Sequence, residues 1–90
     1  MKKFIHNFIQ KLKRKEEIKR LLSLNEGLLR LYQYEIDGID EELDLISKGI
    51  EEGDEPYIGS LLHDKIKCQQ KICEVVASMI KLYDELKGLK

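Results

Sequence analysis

A chain of 90 residues, 42% hydrophobic and 37% charged with a formal net charge of -1, has room for one domain and carries too much apolar residue for a disordered tail. At this length only about two-thirds of the unfolded surface is buried on folding, so a bare pair of helices is marginal. Six glycines and the single Pro56, in a sequence dominated by Leu, Ile, Lys and Glu, exclude a turn-rich all-β fold and favour a few long helices.

Residues 1 to 15 hold Lys2, Lys3, Lys11, Lys13, Arg14 and Lys15 and no acid. That segment is near +6, which leaves the remaining 75 residues near -7 against the total of -1. Phe4, Ile5, Phe8, Ile9 and Leu12 fall on one side of a helix there. The segment is expected to be a short amphipathic helix that completes a bundle core, or one that rests on a membrane or partner surface. It has neither a continuous apolar stretch nor a small-residue cleavage site, so a secretion signal is not expected. Lys2 and the C-terminal Lys87-Gly88-Leu89-Lys90 carry no lipidation signal. No run of about 18 apolar residues exists, and a cytoplasmic protein is expected.

From residue 18 the spacing alternates four and three: Ile18, Leu22, Asn25, Leu29, Tyr32, Ile36, Ile39, Leu43, Ile46, Ile50. This heptad seam predicts one helix over about 17–51. Ser23 and Glu26 have capping-box spacing, but the unbroken seam favours continuity. Asn25 is its polar position, suited to setting register or partner number. A second stripe, Leu24, Gly27, Leu31, Tyr34, Gly38, Leu45 and Gly49, lies about 120° round the same helix. Its glycines recur every eleven residues, which suggests close approach of another helix. The stripe is the expected interface for self-association or a partner.

Residues 52 to 55 read as a turn, with Gly53 free to adopt a positive φ, Asp54 or Glu55 as cap and Pro56 in the first turn of a helix over about 56–87. A connection so short makes the two helices antiparallel neighbours. Apolar residues of the second helix, Tyr57, Ile58, Leu61, Leu62, Ile66, Cys68, Ile72, Cys73, Val75, Val76, Met79, Ile80, Leu82, Tyr83 and Leu86, cover about 200°. One neighbouring helix does not cover that arc. A homodimeric four-helix bundle is the simplest remedy.

Catalytic constellations are missing. Cys68 and Cys73, five apart on a helix, are roughly 8 Å apart at Cα, too far for a disulfide, and they read as reduced core hydrophobes. His6 and His63 stand away from them, so no metal ligand set is expected. Ten acids between Glu35 and Glu55 face Lys48 alone, yet no Glu-x-x-His step accompanies them. A solvated acidic face is the simpler account. Lys65 on the apolar face of the second helix reads as a snorkelling stem. A basic face is expected only over residues 2 to 20, the acidic middle would repel phosphate, and no nucleic-acid-binding motif appears, so nucleic acid is an unfavoured partner. The expected protein is non-enzymatic and cofactor-free: an all-α antiparallel hairpin with a short N-terminal helix, self-associating and acting as an adapter or small regulator on a larger partner. Peripheral membrane association through residues 2 to 15 is the alternative.

Overall fold

The computed structural model describes residues 2 to 89, which form two long helices: α1 over Lys2–Ser47 and α2 over Glu55–Gly88. They pack side by side as an antiparallel hairpin of 72 × 15 × 15 Å. No helix is long and apolar enough to cross a membrane.

The seam residues of α1 from Ile18 to Ile46 are all buried or half-buried. They meet a matching 4-3 series on α2, namely Ile58, Leu61, Lys65, Cys68, Ile72, Val75, Met79, Leu82 and Leu86, each also buried or half-buried. Only Ile18, Leu22, Ile36 and Cys68 are truly buried among the described residues, because two cylinders in line contact can enclose only the residues at their seam. Asn25 and Lys65 sit half-buried in the seam. The Lys65 ammonium reaches out to donate to Asp40 Oδ1 at 2.6 Å, so its stem is covered while its charge stays paired at the rim.

Three expectations need correction. Residues 2 to 15 are not a separate short helix: α1 runs unbroken from Lys2, since no proline, glycine or cap interrupts 2 to 26 and lysine-rich sequence sustains helix well. The helix also ends at Ser47, short of 51. Gly49 takes φ +74, its N–H donates to Ile46 O at 3.0 Å and that of Ile50 to Leu45 O at 3.0 Å, which is the Schellman arrangement that terminates a helix. Gly49 therefore lies beyond the helix and does not share a face with Gly27 and Gly38, and Ile50 leaves the seam. Gly53 does not have a positive φ. A Cβ there would come within 2.7 Å of Ile46 Cδ1, so any larger residue would force the Ile46 side chain to move.

The start of α2 follows expectation. Asp54 is the N-cap, its Oδ1 accepting from the Tyr57 N–H at 3.0 Å, with Pro56 in the first turn.

Candidate functional site

Apolar surface left outside the seam is the most conspicuous feature of this hairpin, and it falls into three zones. The first is the start of α1. Arg14 grips Glu85 near the end of α2, with Nε to Oε1 and Nη2 to Oε2 both at 2.7 Å, and Leu89 lies level with Asn7 to Arg14. Residues before about 10 consequently project past α2 as a single-helix overhang. Phe4 is 77% and Phe8 56% exposed, and Ile5, Ile9 and Leu12 are exposed as well. In the lone chain these five complete no core.

The second zone is the α1 stripe. Leu24, Leu31 and Tyr34 are exposed, Gly38 is open, and Gly27 and Leu45 are half-buried. No heavy atom lies within 4 Å of where a Cβ on Gly27 or Gly38 would stand, so within one chain the glycines bring no helix close. Leu28 is also exposed beside them.

Only the broad apolar arc of α2 hinted at the third zone, whose order the sequence reading missed. Leu62, Ile66, Gln69, Cys73, Val76, Ile80 and Tyr83 form a second 4-3 series on α2, all exposed. It interleaves with the first, so the two together look like one wide arc. Separating positions one helix turn at a time, after assigning the α1-facing series, would have found it. Cys73 belongs here and is exposed, contrary to the expectation that both thiols are core residues.

The second and third zones lie on opposite sides of the hairpin. One groove is lined by Ile72 and Val76 of α2 and by Leu29, Arg30 and Gln33 of α1. The other is lined by Gly38 and Ile39 of α1 and by Leu61, Asp64 and Lys67 of α2. Each side thus sets an apolar strip of one helix beside polar positions of the other.

Charge is separated along the long axis, with basic residues at the overhang end and acids at the turn. The Arg14 guanidinium holds the Glu85 carboxyl below the usual range, chiefly by its hydrogen bonds. At the turn, the Glu51 carboxyl is pushed above the usual range by a shared hydrogen bond with Glu42 and by that neighbour's charge. Partial desolvation, then its 3.2 Å hydrogen bond to Glu42, raises the Tyr57 phenol. Cys68 donates its thiol proton to Glu35 Oε2 at 3.1 Å, and this bond, with desolvation and the carboxylate charge, keeps the thiol protonated to higher pH. Among the described residues no three His, Cys, Asp or Glu side chains gather as a metal site.

Known protein families, curated proteins and solved structures offer no match to this chain.

The thiols supply a direct check. In dilute protein Cys73 should alkylate quickly at neutral pH, while Cys68, buried and bonded to Glu35, reacts at least tenfold more slowly until the hairpin unfolds. Intact-mass time courses would show a mono-alkylated plateau. Equal rates for both would mean that the seam does not protect Cys68.

Proposed function

We propose that this protein is a non-enzymatic helical interaction module that self-associates and occupies a surface of a larger partner. The observation that carries the reading is the pair of apolar strips left open on opposite sides of one thin hairpin. Isolated monomers rarely present contiguous apolar strips of such length, and two strips facing opposite ways accommodate two different associations. One joins copies, and the other, on α1, is left for a heterologous helix or groove. Light scattering at micromolar concentration should report a dimer or a larger assembly. A fully helical monomer of 10.6 kDa would remove self-association from the reading.

The overhang favours a second reading. Five exposed apolar residues beside Lys2, Lys3, Lys11 and Lys13 have the makeup of a helix that rests on an anionic membrane surface. In that case wild type co-sediments with anionic vesicles, salt weakens the binding, and Phe4→Ala with Phe8→Ala abolishes it. The melting temperature of the double variant should stay within about 2 °C of wild type, because neither ring is packed in the lone hairpin. Absence of vesicle binding by the wild type would defeat the membrane reading.

A further inference from the structure

We infer that the free strip of α2 is an antiparallel self-pairing surface with one defined register, in which residue n of one copy faces residue 142 - n of the other. The inference rests on the reading of the protein as a self-associating module and names the face that joins the copies. Extended by one step of the same 4-3 pattern at its N-terminal end and by a further step at each end, the strip runs Glu55, Gly59, Leu62, Ile66, Gln69, Cys73, Val76, Ile80, Tyr83, Lys87. All ten residues are exposed. Folded back on itself about position 71, the series is complementary at each step. Glu55 meets Lys87 of the second copy, Gly59 meets Tyr83, Leu62 meets Ile80, Ile66 meets Val76 and Gln69 meets Cys73.

Four features favour a second copy over another occupant. The charged ends of the strip carry opposite signs, and neither Glu55 nor Lys87 has an ion-pair partner among the described residues. Antiparallel pairing joins them twice, whereas parallel pairing would set like against like. The bulkiest residue, Tyr83, faces Gly59, where a Cβ would find nothing within 4 Å. The outer flank of the strip, Pro56, His63, Gln70, Ala77 and Asp84, carries one formal charge, so two copies approach without repulsion there. Finally, the strip is about 48 Å long and about 10 Å wide, close to 1,000 Å² over two copies, an area at the low end for protein pairing that suits a weak, reversible dimer.

Long-range charge agrees with this register. Because Arg14 pairs with Glu85, the acidic turn around Asp54 of each copy is brought level with the basic residues around Lys13 and Arg14 of the other. The assembly should therefore loosen as salt rises.

Two experiments test the register. The first is cross-linking in a Cys68→Ala background under mild oxidation with copper phenanthroline. Adding Gln69→Cys should yield a covalent dimer, because the introduced thiol faces Cys73 of the second copy. Without it, the two Cys73 residues are offset by four positions, about 6 Å along the axis, which with the interaxial spacing exceeds the roughly 7 Å reach of a disulfide, and no dimer should form. The second is charge exchange: Glu55→Lys alone should weaken the dimer about tenfold, and Glu55→Lys with Lys87→Glu should restore it. If these residues served only to complement the helix dipole, the double exchange would be worse than either single change.

Ready cross-linking of Cys73 to itself would show a parallel or shifted pairing and overturn the register. A dimer by light scattering that neither cross-links through Gln69→Cys nor recovers on charge exchange would place self-association on another face, sinking this inference and leaving the module reading intact. A monomer would defeat both.

Discussion

Ile18→Ala should lower the melting temperature by 10 °C or more. Ile18 is 0% exposed, the one side chain of the described residues that is wholly enclosed. Replacing it by alanine removes three carbons from a site walled by both helices, and such changes cost about 2–5 kcal/mol. In a chain of this size each kcal/mol moves the midpoint by about 4–8 °C. The loss is large relative to the total because so few other side chains are buried. Leu31→Ala, at a 57% exposed position on the same helix, is the control and should change stability by under about 0.5 kcal/mol. The readout is helical circular dichroism against temperature, with all variants at one protein concentration because association shifts the midpoint. Equal effects at Ile18 and Leu31 would mean that the two helices do not close on the Ile18 seam.

Ile66→Lys combined with Ile80→Lys should convert the assembly to monomers over the micromolar range. Both isoleucines are more than half exposed in the lone hairpin, so lysines there remain solvated and helicity should persist. In a self-paired strip the same lysines would be buried against apolar residues, at about 2 kcal/mol or more each. Together they should raise the dissociation constant by about a thousandfold or more. Leu24→Lys with Leu31→Lys, on the opposite side, should leave association unchanged, which separates loss of one face from a general effect of added charge. Sedimentation velocity would read the outcome. Dissociation by the α1 pair alone would move the self-association face to that stripe.

Residue spacing makes the seams legible because a helix of constant pitch converts spacing directly into faces. The α1 series from Ile18 to Ile46 and the cap at Asp54 follow from that rule and from the chemistry of side-chain capping. The α2 free strip was only half legible. Its members were visible as surplus apolar residues, but which of them face α1 depends on the rotation of α2 about its own axis, and local sequence carries no measure of that rotation. Gly49 shows the opposite failure: an eleven-residue recurrence with Gly27 and Gly38 suggested a common face, yet its positive φ serves the helix end. A glycine has no side chain to reveal which of its two uses, close packing or left-handed backbone, applies.

The sequence by itself determined that the chain is helical, that it turns once near residues 52 to 55, and that its apolar surface exceeds what one hairpin can cover. Propensity, periodicity and capping are properties of residues and their near neighbours, and they act before any tertiary contact forms. Only the tertiary structure decided that α1 outruns α2 to leave Phe4 and Phe8 on an overhang, and that the open strips of the two helices face opposite ways. Those facts depend on the axial stagger and relative rotation of the helices, which bring Arg14 to Glu85, Lys65 to Asp40 and Cys68 to Glu35, pairs of residues 25 to 71 positions apart along the chain.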